Sequence, residues 1–258
     1  MALLATVEKL LWIASGALCT LLAWRLYGFG LHRRYPWFTT FLIANFAQAV
    51  VSALAGLETS SYAWIYLISQ PIIWFLYIVI TLEIYALVLR DHPGIATVGR
   101  RTMLAGLAIA VGVSALTLPA DLQRKENVKI LMYYGVIERG ISFSLVVFLM
   151  LILLFLARYP VPLKRNIAVH AIVFSVFFLS SSLSLFVMNV TGFGVRRIVS
   201  TALLAIANAC LLAWLLLLSP AGEQRTVVLR QRLAPDDEGR LLEQLEALNA
   251  SLSRIVRK

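Results

Sequence analysis

The sequence predicts an all-α integral membrane protein: a seven-transmembrane-helix bundle, N-terminus out and C-terminus in, followed by a short cytoplasmic amphipathic or coiled-coil helix. Three observations predict it. The 258 residues are 60% hydrophobic with a mean hydropathy of +0.85, beyond the apolar share of a water-soluble domain. Seven apolar stretches recur, each near the roughly 20 residues that a helix needs to cross hydrocarbon. The basic residues between them gather on alternate loops.

In chain order the expected spans are Leu10–Tyr27, Trp37–Leu57, Tyr62–Leu89, Thr102–Leu118, Ile130–Ala157, Ile167–Met188 and Ile198–Leu218. Within lipid each backbone polar group must be paired inside its own segment, so these stretches read as helices. Pro36, Pro93, Pro119, Pro160 and Pro220 fall at or beyond helix ends, where a missing N–H costs least. Pro71 alone lies inside a span and can kink it. The start of the chain has no basic leader, and Glu8 and Lys9 interrupt its apolar run, so the first helix is expected to be retained.

Orientation follows from charge. Arg25 lies in the last turn of the first span, and Arg33 and Arg34 follow it; Arg90, Arg100 and Arg101 follow the third; Arg158, Lys164 and Arg165 the fifth. The tail adds Arg225, Arg230, Arg232, Arg240, Arg254, Arg257 and Lys258, whereas the opposite side holds fewer: Lys9, Arg124, Lys125, Lys129, Arg196 and Arg197. The positive-inside rule therefore puts the tail in the cytoplasm. The net charge of +10 is absorbed by this asymmetry, and no groove-reading basic face suggests nucleic acid. Arginine outnumbering lysine, with abundant alanine, points to a bacterial inner membrane. Trp24, Tyr27, Tyr35, Trp37 and Tyr159 sit near span ends as interfacial anchors.

The chain divides into a membrane domain, 1–220, and a cytoplasmic segment, 221–258. Arg225, Arg230 and Arg232 interleave with apolar residues, which suits an anionic inner leaflet. Beyond Pro235, residues Leu241, Leu245, Leu248, Leu252 and Ile255 follow at alternating spacings of four and three. That spacing fits a coiled-coil seam joining a second copy or a cytoplasmic partner, or one amphipathic helix lying on the membrane or the bundle.

Ionisable groups inside membrane helices are functional candidates by default. Glu138 and Arg139 are such a pair, and Glu83 is a third, with Arg25 and His170 as its expected partners in a switch or structural ion pair. Asn45, Gln48, Gln70, Ser181 and Asn208 gather in the outer half and middle of their spans. With Glu138 and Arg139 they could line an outward pocket for a small polar ligand, or knit helices together by hydrogen bonds. Cys19 and Cys210 lie far apart in apolar runs and read as buried free thiols.

Absences exclude several chemistries. His32, His92 and His170 show no metal-ligand spacing, and no phosphate loop, CxxC or nucleophile elbow occurs. No catalytic residue, metal or cofactor is expected. Helix count and sidedness resemble those of opsins, G-protein-coupled receptors and three-plus-one-three sugar transporters, although no motif carries the likeness. The expectation is a non-enzymatic, receptor-like module reporting through its tail. The alternatives are a small-solute transporter and a structural or assembly subunit.

Overall fold

The computed structural model describes residues 2–55, 60–90, 95, 97, 99–101, 104–106, 108–109, 112, 129–158, 163–191, 195–227, 243–247 and 249–252. Nearly all of them are helical. The elements are α1 (Ala2–Gly28), a 3₁₀ turn (Leu31–Arg33), α2 (Pro36–Ala55), α3 (Ser60–Val88), α4 (Lys129–Arg158), β1 (Leu163–Lys164), α5 (Arg165–Thr191), α6 (Arg196–Leu217), α7 (Pro220–Gln224) and β2 (Thr226–Val227). Six of the seven expected spans fall on α1 to α6. The expected Thr102–Leu118 span lies largely outside the described residues, and the described residues between 95 and 112 are helical.

Among the described residues five helices are long and apolar enough to cross a membrane: Thr6–Gly28, Leu67–Val88, Ile137–Leu154, Arg165–Met188 and Arg197–Leu217. A sixth, Pro36–Val51, is apolar but shorter. Their outward faces carry large apolar side chains such as Leu10, Ile13, Leu54, Ile68, Leu154 and Leu216. A soluble monomer does not expose apolar surface on this scale, so the chain is a multi-pass membrane protein.

Successive helices pack side by side, and α1 closes on α6, so the described helices form a ring. Inside runs an aromatic column. Phe38 of α2 stands 5.0 Å from Trp214 of α6, Trp214 stands 4.6 Å from Phe174 of α5, and Tyr77 of α3 stands 5.1 Å from Phe178 of α5 (ring centroids). Edge-on and tilted rings suit the aromatic quadrupole. Leu22, Leu42, Ile80, Leu145 and Leu149 fill the gaps around them. Pro71 lies within the continuous helix α3, and Cys19 and Cys210 are buried free thiols.

The two ends of the ring differ. At one end an ion pair, Arg197 Nε to Glu8 Oε2 at 3.3 Å, joins the starts of α6 and α1. The other end collects the close of α1 and α6, the starts of α2 and α5, and all the short elements. Gly30 makes the tight turn there with φ +69°, a backbone conformation that costs glycine little. The residues after α6 do not lie apart from the bundle: β2 pairs antiparallel with β1, Leu163 opposite Val227 and Lys164 opposite Thr226. The Arg165 amide donates to the Arg225 carbonyl at 3.0 Å, continuing the pairing.

Candidate functional site: a polar and aromatic hub at the tail end of the bundle

Ser219 ends the apolar run of α6 and starts α7. Its side chain accepts from the Gly222 amide at 3.2 Å, and Pro220 takes the first helical position, where its missing N–H is harmless. This single turn presents Glu223 back to the bundle. Glu223 Oε1 accepts from the Tyr35 hydroxyl at 2.5 Å and from Asn166 Nδ2 at 2.9 Å. Its Oε2 faces Lys164 Nζ at 3.4 Å and Arg34 Nε at 3.8 Å. One carboxylate thus gathers the loop before α2, the loop before α5 and the start of the tail.

Asn166 locks the same corner. It is fully buried, donates to the Ser219 carbonyl at 2.9 Å and accepts from the Ser219 amide at 3.4 Å. Gly222 lies against it so closely that a Cβ would stand 2.1 Å from Asn166 Oδ1. Arg25, at the end of α1, donates to the Leu218 carbonyl at 3.2 Å while its guanidinium covers the Phe29 ring. The Leu218 and Ser219 carbonyls, just past the end of α6, are thereby met by side chains from other elements.

Burial pushes the Tyr35 hydroxyl well above its ordinary pKa. The hydrogen bond to Glu223 and that group's charge push the same way, and Arg34 opposes them. The ring of Tyr35 faces inward, 4.5 Å from His170, which Phe38 meets edge-on at 4.7 Å. Phe174 and Trp214 complete the surround. His170 is 1% exposed, and neither ring nitrogen has a hydrogen-bond partner among the described residues.

The ion pair expected of Glu83 with Arg25 or His170 does not form. Glu83 Oε1 instead accepts from the Trp37 amide at 3.4 Å, with the Phe38 amide also directed at it. The physical reason is position. Glu83 on α3 faces the start of α2, whose first amides have no partner within their own helix, while Arg25 is engaged by Leu218 and Phe29. Three residues read as one switch or structural ion pair occupy three separate roles: a helix cap, a carbonyl clamp and an aromatic-walled core.

The expected outer pocket is likewise distributed. Gln48 of α2 donates to Ser69 Oγ at 2.8 Å and to Gln70 Oε1 at 3.5 Å, so these groups bind α2 to α3. Asn45 turns back to the Phe41 carbonyl of its own helix at 2.8 Å. Asn208 of α6 reaches the Leu11 carbonyl of α1 at 3.2 Å, a different helix pair. Ser181 is buried on α5. Glu138 and Arg139 are half-buried on α4, and each has a partner.

In the tail, Leu245 is buried in the hydrophobic core and Leu252 is half-buried. Leu241, Leu248, Ile255, Arg230 and Arg232 lie outside the described residues, and Arg225 is exposed. Reading the sequence did not find the hub. Its signal was a lone acid: no Asp or Glu occurs between Glu138 and Glu223, and Glu223 follows a Ser-Pro helix start on the arginine-rich side. No family model, curated protein or solved structure matches the chain.

Proposed function

We propose that this is a non-enzymatic, receptor-like membrane module of seven helices, N-terminus out and C-terminus in. It binds a small polar ligand from the outer side and reports through its cytoplasmic tail. The observation that carries the reading is Glu223, through which the root of the tail is tied at once to Tyr35, Arg34, Asn166 and Lys164. A shift of α2 or α5 is passed directly to residues 219–227. A carrier has no use for so firm a connection to its tail.

The seventh helix of this reading is the apolar Thr102–Leu118 stretch, which α3 and α4 flank in sequence. Arg225 sits exposed beside the hub and, with Arg230 and Arg232, holds the segment to anionic headgroups. The setting is a bacterial inner membrane. A reporter fused after Lys258 should be active in the cytoplasm and silent in the periplasm.

The function itself is tested in nanodiscs. Spin labels go on cysteines placed at Gln224 and Arg33, the native thiols being buried, and amino acids and sugars are screened at millimolar concentration for thermal stabilisation. A stabilising solute should change the label distance without accumulating in proteoliposomes. Accumulation of that solute against a gradient would make the protein a carrier. An unchanged distance with every solute would leave a structural subunit.

A further inference from the structure

The tail helix already has a seat on its own bundle. Residues 243–247 and 249–252 are helical, and Leu245 is 1% exposed, enclosed in the core, while Glu243 and Glu246 face outward. Asn249 Oδ1 accepts from the Ile95 amide at 3.4 Å. The Ile95 carbonyl in turn accepts from the Tyr85 hydroxyl at 2.8 Å, near the end of α3. Gly99, one turn on, lies against the same hydroxyl, where a Cβ would come within 1.8 Å of it. Ile95 itself packs against the core. Tyr85 therefore anchors the connection after α3, and that connection holds the tail.

Leu245 is also the second residue of the seam Leu241, Leu245, Leu248, Leu252 and Ile255. Two interfaces compete for it. Spacings of four and three suit a seam between two helices. The positions flanking the seam between Leu241 and Val256 are Leu242, Gln244, Asn249, Ser251 and Val256, all uncharged, so two identical helices meet no like charges across it. The seam is only about two heptads long, short for a stable pair, and a well-seated intrachain site outcompetes it.

We infer that the tail helix of this protein is a self-docked strap, whose seam pairs with the seam of a second copy only after leaving the Tyr85–Ile95 seat. Docked and paired states exclude each other, because Leu245 cannot be buried in both. The inference goes beyond the receptor reading and stands without any ligand.

Two cysteine experiments on the full chain in nanodiscs test it. With Ile95→Cys and Asn249→Cys together, mild oxidation should give a disulfide within one chain, identified by peptide mass and unchanged molecular weight. Absence of that bond, or its formation between chains, overturns the docked state. With Leu248→Cys as the pairing probe, interchain disulfide should be sparse and should rise at least threefold when Tyr85→Phe, which removes the anchor of the seat, is added. An equal yield in both backgrounds overturns the exclusion. A thermal-melting check that the release variant keeps its fold makes the comparison decisive.

Discussion

The Tyr35 hydroxyl donates to the Glu223 carboxylate at 2.5 Å across 188 residues of chain, and this bond ties the start of α2 to the short helix that follows α6. Hydrogen bonds to charged acceptors contribute about 1.5–3 kcal/mol. Tyr35→Phe should lower stability by an amount in that range, read as a drop of several degrees in the melting temperature of the purified protein. Glu223→Ala should cost more, since Asn166, Lys164 and Arg34 then lose their partner as well. The double variant should fall short of the sum of the two singles, because they share one interaction. Strict additivity would show that the bond does not couple the two segments.

Alkaline pH offers a second test of the same contact. A tyrosine free in the unfolded chain releases its proton near pH ~10, whereas Tyr35 in the folded protein holds it to higher pH. Below pH ~10 both states keep the proton, and Tyr35 adds no pH dependence. Above it the unfolded state binds fewer protons than the native state, so stability falls as pH rises. The difference in melting temperature between wild type and Tyr35→Phe should stay flat from pH 7 to 9 and shrink towards pH 11. A constant difference to pH 11 would mean that Tyr35 titrates as an exposed tyrosine.

Glu83 should behave as a helix cap. Its Oε1 receives the Trp37 amide, an interaction that a glutamine oxygen can still make and a leucine cannot. Loss of an N-terminal cap costs about 0.5–2 kcal/mol. Glu83→Gln should therefore melt within about 1 kcal/mol of wild type, the scale of charge against the helix dipole. Glu83→Leu should lose the full cap. Equal damage from both substitutions would show that the charge, and not the acceptor, holds α2.

Gly222 has no room for a side chain. A Cβ there would stand 2.1 Å from Asn166 Oδ1 and 2.8 Å from Asn166 Cγ, and Asn166 is held by Ser219 and Glu223. Gly222→Ala must displace α7 or rotate Asn166 away, either of which breaks bonds of a buried amide worth about 1–3 kcal/mol. The variant should melt lower and show faster hydrogen exchange at residues 219–227. An unchanged exchange rate there would mean that the contact is not tight in solution.

The helices were legible because lipid imposes a simple rule: apolar length and flanking charge define a span, and α1 to α6 lie where that rule puts them. The hub was not legible, because it depends on which ends meet. Tyr35 read as an interfacial anchor, yet its side chain is buried against His170 and hydrogen-bonded to a residue 188 positions away. Leu245 shows the same limit. Its spacing marks a helix face that must be covered, but a periodic pattern does not say whether the cover is another chain or the chain's own core. Glu83 and Arg25 were expected to meet each other, but nothing in the sequence records that backbone groups are their partners.

The polar residues Gln48 and Asn208 divide ligand binding from helix knitting most sharply. Gln48 spends its amide on Ser69 and Gln70, and Asn208 spends its own on the Leu11 and Leu204 carbonyls. Interhelical hydrogen bonds in membranes are worth about 0.6 kcal/mol on average, so Gln48→Leu and Asn208→Leu should each lower the melting temperature only slightly. If the proposed ligand engages Gln70, Gln48→Leu should also free Gln70 Oε1 and alter solute-dependent stabilisation, whereas Asn208→Leu, on the α1–α6 pair, should leave it intact. A small stability loss in both variants, with every solute response unchanged, would make these amides structural ties and move the ligand site elsewhere. A loss of solute response in Gln48→Leu alone would place the site between α2 and α3.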